Sequence, residues 1–386
     1  MSFHQFNPSC PVIVGCGAVS VLGEKIKEFG CNKPLICCDE GIKTAGIVDK
    51  VTAYLKDAGI EFGVFSGVHP DPSAAIVDEA VEAAIACGAD CLVGLGGGSS
   101  MDTAKAATIR LSGYEGKTED YILAHPISMD TKVPVFLVPT TTGTGSECTK
   151  VAIISRPEHN AKWSVYVKTT LAIVDPELTV TLPQQETANT GLDALAHATE
   201  CLTSKDANVH SDHLAVGAIE KIAKYLLRSW ENPNDMEART NMAIAANWAG
   251  SAFADPMCHV GHAIGDAFGS NFHTYHGHSC SLGLSELMKL VAPVVPEKMA
   301  VIAKAMGLEV KGNETGEELG NMVADFIYGL MRKMNFVSLK SLGITREQVV
   351  GVAQEVVDSH LSSYCPVTLT IETARELMGN IYDNYQ

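Results

Sequence analysis

Cys91-Leu92-Val93-Gly94-Leu95-Gly96-Gly97-Gly98-Ser99-Ser100-Met101-Asp102-Thr103-Ala104-Lys105 runs from an apolar stretch through three consecutive glycines into an alanine-rich segment. The apolar part reads as a buried strand and the alanine-rich part as a helix. Between them the glycines allow close approach of a ligand to the backbone, and the helix start adds unsatisfied N–H groups and a favourable dipole. That geometry suits a pyrophosphate. The plainer reading of the same residues is an ordinary strand-to-helix turn.

Outward from this unit the pattern repeats. Pro11–Val14, Pro34–Cys38, Glu61–Phe65 and Pro134–Pro139 read as further strands, and Ala75–Cys87 carries alanine and valine at helical spacing. Alternating strands and helices predict a parallel α/β domain over 1–183. Beyond Leu182-Pro183 strand signals give way to long alanine-, leucine- and glutamate-rich stretches punctuated at Ser211-Asp212 and Gly343, predicting an all-helical domain over 184–386.

Composition narrows the function classes. With 386 residues, 46% hydrophobic and 19% charged, the chain has enough apolar content for two folded domains. A formal charge of -17 argues against nucleic-acid binding, which needs clustered basic surface. No apolar run reaches the roughly 18 residues of a membrane span, and Met1–Phe6 lacks the basic-then-apolar signature of a signal peptide. A cytoplasmic enzyme with a small-molecule substrate is expected. The twelve cysteines are scattered with no paired CxxC, so they read as reduced core thiols. Cys258 stands apart, four positions before His262.

Two other glycine-rich segments compete with the opening one. Gly15-Cys16-Gly17-Ala18-Val19-Ser20 and Gly94–Ser99 both begin a GxGxxG fingerprint and both lack its last glycine. Asp39, ending the second strand, is placed to accept from ribose hydroxyls and to repel a 2′-phosphate, which favours NAD over NADP; alternatively it caps a helix starting near Glu40. Pro139-Thr140-Thr141-Thr142-Gly143-Thr144-Gly145-Ser146-Glu147 follows another strand and offers hydroxyls to a polar ligand.

Metal chemistry is signalled in the second half. Asp193 and His197, at i and i+4, project from one helical face. The segment Gly261-His262 through His276-Gly277-His278 is dense in imidazoles, and an ion wants three or four ligands. By helical geometry His259, His262 and Asp266 can all share a face, so spacing does not choose among them.

Taken together, Gly96-Gly97-Gly98-Ser99-x-x-Asp102-x-Ala104-Lys105, Pro139-Thr140-Thr141-x-Gly143-Thr144-Gly145-Ser146-Glu147, Asp175-Pro176-x-Leu178-Thr179 and Gly191-Leu192-Asp193-Ala194-Leu195-x-His197-Ala198-x-Glu200 occur in order along nearly the whole chain. This combination resembles the iron-containing (group III) alcohol dehydrogenases. The resemblance implies a Rossmann-like NAD-binding domain, a helical domain of the dehydroquinate synthase-like kind, an active site in the cleft between them, and a homodimer or higher homo-oligomer. Carried over by position, it implies Asp193, His197, His262 and His276 as metal ligands, with iron(II) expected and zinc(II) as the alternative. It further implies Asp39, Asp71, Gly97, Gly98, Ser99, Thr140, Thr141, Thr144, Thr149 and Lys162 as cofactor contacts; Lys162 otherwise reads as a solvated surface lysine. His259, His273 and His278 fall outside the set and are expected to be hydrogen-bonded or exposed.

One position departs from the family pattern. Members usually place a second active-site histidine four residues after the first, where this chain has Asp266. A carboxylate there bears on the substrate more than on the reaction; it is read as orienting a cationic or hydroxylated molecule, pairing with a neighbouring histidine, or packing against solvent in the cleft. The expected chemistry is hydride transfer between nicotinamide and a small primary alcohol or aldehyde. The rival is a metal- and NAD-dependent lyase or cyclase of the dehydroquinate synthase type, which would leave net NADH unchanged.

Overall fold

In the computed structural model, residues 8–123, 128–129, 131–156 and 161–386 are described, so the Met1–Phe6 stretch read above lies outside them. Two compact units emerge. One runs from the first strand to Thr141 and takes in Gly145–Leu182; the other comprises Thr142–Thr144 and Pro183–Gln386.

The first unit is built on strands β1 (Val12–Val14), β2 (Pro34–Cys37), β3 (Gly63–Phe65), β4 (Cys91–Gly96), β6 (Val135–Pro139) and β9 (Leu171–Val174), paired in the order β1-β9-β6-β4-β2-β3. Every pairing in this sheet is parallel. Alternation along the strands explains why it is covered on both sides. Leu35, Cys37, Leu92, Val135 and Leu137 enter one buried layer, while Ile36, Cys38, Val93, Leu95, Phe136 and Val138 enter the other. The second of these layers is shared by helices α1 (Leu22–Glu28) and α2 (Ile47–Asp57), the first by α3 (Ala74–Cys87) and α4 (Gly98–Leu111).

A smaller sheet was not anticipated. β5 (Ser128–Met129), β8 (Ala161–Val167) and β7 (Val151–Arg156) pair in that order, β7 antiparallel to β8. Ala152, Ile154, Val165 and Val167 from its inner face join the layer of α3 and α4. Polar residues interleave in these strands, so no continuous apolar run marked them in the sequence.

The second unit is helical throughout its described length. Its principal helices are α5 (Gln184–Thr203), α6 (Val209–Glu231), α7 (Met236–Phe253), α8 (Val260–Phe272), α9 (His276–Val291), α10 (Pro296–Ala305), α11 (Gly316–Lys333) and α12 (Ile371–Asn384), sharing one core. Ser211-Asp212 does not punctuate a helix: Asn208 caps α6, and Ser211 completes the capping box inside its first turn. Gly343, with φ 77°, does sit in a turn.

Close approach of α9 to α5 depends on a missing side chain. A Cβ on Gly277 would lie 2.7 Å from the backbone oxygen of Asn189 and 3.1 Å from Cβ of Asp193. Gly277→Ala is therefore expected to destabilise the protein by about 1–3 kcal/mol through forced separation of the helices. Gly329→Ala in α11, where nothing lies within 4 Å of an added Cβ, should be neutral or stabilising. Thermal unfolding of both checks this; equal melting temperatures would refute the steric account.

Candidate functional site

In the α/β unit, the carboxyl ends of the adjacent strands β2, β4 and β6 bring three predicted segments side by side. Ligands of open parallel sheets bind at such ends. Gly96 has φ 147°, and Gly97 precedes α4 as its cap. A Cβ on Gly96 would meet Ser100 Oγ at 2.6 Å and Asp39 Oδ2 at 3.6 Å; one on Gly97 would meet Thr141 Cγ2 at 3.3 Å. Asp39, Gly97, Gly98, Ser99, Thr140 and Thr141 thus line one cradle. The buried hydroxyls of Thr140 and Thr141 have no hydrogen-bond partner, the state expected of donors kept for a ligand.

Of the two readings of Asp39, the helix cap is observed. Its carboxylate caps the short helix Glu40–Thr44 by accepting from the Ile42 amide at 3.0 Å, while its other oxygen faces Gly96. The rival turn at Gly15-Cys16-Gly17 is occupied. The amides of Gly17 and Val19 both donate to Asp175 at 3.1 Å, which also accepts from Glu177, so the Asp175-Pro176 motif has a structural task.

Other predicted cofactor residues sit differently. Lys162 is not a solvated lysine: its Nζ pairs with Asp71 at 2.6 Å, and Asp71 adopts φ 54°. Thr149 is buried against Lys105, and Thr144 falls in the helical unit. Lys105, fully buried, donates to the Ser146 and Val151 carbonyls and pairs with Asp102, whose carboxylate accepts from Ser146 Oγ and the Ile153 amide. The Asp102 and Lys105 positions quoted with the glycine motif therefore hold the hydroxyl-rich loop in place.

In the helical unit, α5 supplies Asp193 and His197, α8 supplies His262, and α9 begins at His276. Asp193 Oδ1 lies 3.8 Å from His262 Nε2, and Asp193 Oδ2 lies 3.9 Å from His197 Nδ1. The His262 ring centroid is 4.4 Å from that of His197 and 5.5 Å from that of His276. Phe253 stacks on His197 at 4.4 Å, fixing that ring from behind. One ligating atom each from Asp193, His262, His276 and Cys280 lie within 4.8 Å of one another, and so do atoms of His197, Cys258 and His262.

Glu200, quoted in the motif but given no role, orients this cluster. It is fully buried one helical turn beyond His197. Its Oε1 lies 2.7 Å from His262 Nδ1, and its Oε2 accepts from the amides of His259, Gly261 and His262 at 2.8, 3.0 and 3.4 Å. A Cβ on Gly261 would come within 2.4 Å of Glu200 Oε1, which explains the glycine. Burial works to raise the Glu200 pKa, but His262, His259 and the amide donors outweigh it and hold the carboxyl below its ordinary value. With Nδ1 committed to Glu200, His262 turns Nε2 toward Asp193, the arrangement by which metal-binding histidines are oriented.

Burial and the neighbouring His262 and His276 push His197 well below its ordinary pKa, leaving it a neutral donor. Burial also disfavours charge on His262, yet the sulfurs of Cys258 and Cys280 and the Glu200 carboxylate prevail and hold it well above. Nε2 of His262 and Nδ1 of His197 are buried with no hydrogen-bond partner. Orphaned imidazole nitrogens facing a buried carboxylate fit a divalent cation, which would take the place of a proton on His262.

The remaining histidines lie elsewhere. His259 is buried with Nε2 2.9 Å from Thr203 Oγ1, His278 bonds the Val337 carbonyl at 2.7 Å and stacks on Phe336, and His273 ends α8 with φ 55°. Asp266 lies on α8 with Oδ1 3.9 Å from His276 Nδ1, both half-buried.

A nucleotide cradle on a parallel sheet and a buried carboxylate–imidazole cluster on helices define a metal-dependent, nucleotide-using enzyme. Comparison with known proteins makes this specific. Residues 10–176 match the iron-containing alcohol dehydrogenase family, and 187–382 match the C-terminal family of Fe-containing alcohol dehydrogenases. The chain is 35% identical to choline dehydrogenase of Bacillus subtilis (strain 168), over 92% of this chain and 89% of that protein. It superposes on a 1,3-propanediol oxidoreductase crystal structure with TM-score 0.91 at 29% identity, covering 98% and 100% of the two chains. Sulfoacetaldehyde reductase from Bifidobacterium kashiwanohense, solved with NAD+, superposes at 0.90 and 25% identity, covering 99% and 100%. The chain belongs to the iron-containing alcohol dehydrogenase family. It is an NAD-linked, metal-dependent oxidoreductase of the alcohol–aldehyde class, and family membership favours this over the lyase alternative.

Two outcomes test the site. Glu200→Gln keeps the shape but removes the charge, and should weaken metal affinity about 10–100-fold in chelator competition; an unchanged dissociation constant would remove Glu200 from the centre. His259 is held down to about 4 from 6.5, chiefly by burial, so despite Nδ1 lying 3.7 Å from Glu200 it is neutral in the fold. Below pH 6.5 the unfolded chain binds a proton that the folded one refuses until about pH 4. This contribution is intact above pH 6.5 and is lost on acidification at about 1.4 kcal/mol per pH unit. Denaturant unfolding across that window should show a shallower slope for His259→Gln than for wild type.

Proposed function

We propose that residues 1–183 form the NAD-binding domain and 184–386 the metal-binding catalytic domain of a cytoplasmic dehydrogenase acting on a small primary alcohol or its aldehyde. The observation that carries this reading is the buried, unpartnered Nε2 of His262 facing Asp193 at 3.8 Å, held there by Glu200. Asp193, His197, His262 and His276 would hold the ion, iron(II) in preference to zinc(II), since imidazole and carboxylate ligands suit it. Held there, such an ion would supply Lewis-acid polarisation of a substrate oxygen, and a nicotinamide would supply the hydride exchange.

The chain's own residues do the rest. Glu200 fixes the His262 tautomer, Phe253 holds the His197 ring, and burial keeps water from the carboxylate of Asp193. The first-turn amides of α4 at Gly98 and Ser99, with the Thr140 and Thr141 hydroxyls, are suited to a pyrophosphate. Asp71, Thr144, Thr149 and Lys162 belong to the same proposed cofactor contacts. Asp39 would accept from the ribose and repel a 2′-phosphate, favouring NAD over NADP.

Asp266, beside His276, supplies a carboxylate able to orient a hydroxylated or cationic substrate. The similarity to choline dehydrogenase makes a cationic alcohol a natural probe. Twelve free thiols fit a reducing compartment, and a homodimer or higher homo-oligomer completes the reading.

An anaerobic assay of iron-loaded protein tests this. A short alcohol should yield NADH in stoichiometric amount, and Asp266→Asn should raise KM for a cationic alcohol about tenfold more than for a neutral one, as expected for loss of one roughly 1.4 kcal/mol charge contact. Asp193→Ala and His262→Ala should lose metal and turnover while still binding NAD. Retained metal and activity in either variant would sink the ligand assignment.

A further inference from the structure

Cys280 occupies a position that the four-ligand reading leaves unused. It lies on α9 four residues after His276, so the two side chains share a helical face. Its Sγ is 3.6 Å from His276 Nε2, and the residue is fully buried. The facing backbone of α8 makes room for the sulfur. A Cβ on Gly265 would lie 2.3 Å from Sγ of Cys280 and 3.5 Å from Cε1 of His276. Asp193, His262, His276 and Cys280 each bring one ligating atom within 4.8 Å of the other three, and the His262 nitrogen that faces them is buried without a hydrogen-bond partner.

This observed set overlaps the four ligands proposed above. The two share Asp193, His262 and His276 and differ in whether the fourth is the imidazole of His197 or the thiol of Cys280. Nitrogen and oxygen ligands suit iron, whereas thiolate selects softer ions such as zinc. We infer that Cys280 is a sulfur ligand to zinc in this pocket, so that the chain carries within its active centre a zinc-selecting alternative to the iron set. The inference rests on the metal reading proposed above. Binding replaces the S–H bond by a sulfur–zinc bond and releases the proton to solvent, with no change of oxidation state.

X-ray absorption of the zinc-loaded wild-type protein tests it without any variant. A sulfur shell at about 2.3 Å beside the nitrogen and oxygen shell at about 2.0–2.2 Å is expected. The cobalt-substituted protein should show a sulfur-to-cobalt charge-transfer band in the near ultraviolet. Both signals should vanish in Cys280→Ser and persist in Cys258→Ser, and Cys280→Ser should lower the zinc-over-iron preference in anaerobic competition about tenfold or more. Should Cys280→Ser fail to fold, a wild-type sulfur shell that survives in Cys258→Ser still assigns the ligand. A wild-type shell of nitrogen and oxygen alone, with metal bound, overturns this inference and leaves the metal reading intact. A sulfur signal lost in Cys258→Ser overturns the assignment to Cys280. Failure to bind zinc, cobalt or iron at all would overturn both.

Discussion

Burying the carboxylate of Glu200 with no water to solvate it is affordable only because four donors converge on it. Three are amides at the start of α8 and one is the His262 ring. Removing one partner of such a buried pair costs about 3–5 kcal/mol, so α5 and α8 are locked in register by the need to keep it satisfied. That register puts His262 Nε2 opposite Asp193. The requirement also propagates into glycines: Gly261 leaves space for Glu200, Gly277 lets α9 approach α5, and Gly265 admits the Cys280 sulfur. The carboxylate–imidazole cluster on three helices is thus a consequence of one buried charge and the absence of three side chains.

The α/β unit solves a parallel problem with a different device. Its Thr140 and Thr141 hydroxyls are buried without a hydrogen-bond partner, while polar groups around them are tied up. Asp175 occupies the amides at Gly17 and Val19, and Asp102 with Lys105 holds the loop from Ser146 to Ile153. Motif residues therefore divide into those whose hydroxyls are left without a partner and those that hold the surrounding loops in position.

Legibility in the sequence followed the strength of local pattern. Strands β2, β4 and β6 are continuous apolar runs because both of their faces are buried, and they were readable within a residue or two. β7 and β8 interleave polar residues and were not. Asn208 rather than Ser211-Asp212 begins α6 because the capping box needs a residue with extended backbone before the first turn, and both segments contain plausible cap types.

Sequence by itself determined that the chain is a parallel α/β unit followed by helices, that a glycine-rich turn joins a buried strand to a helix, and that Asp193 and His197 share a face. These follow from period, glycine placement and i, i+4 spacing, all local properties. Spacing left open which imidazoles meet that face and only the family resemblance pointed to His262 and His276; the tertiary structure alone decided that Glu200 orients His262 and that Cys280 rather than a distant thiol stands among them. Those facts depend on the register of three helices separated in the chain, and register is set by buried polar satisfaction and by close backbone approach, neither of which has a linear signature.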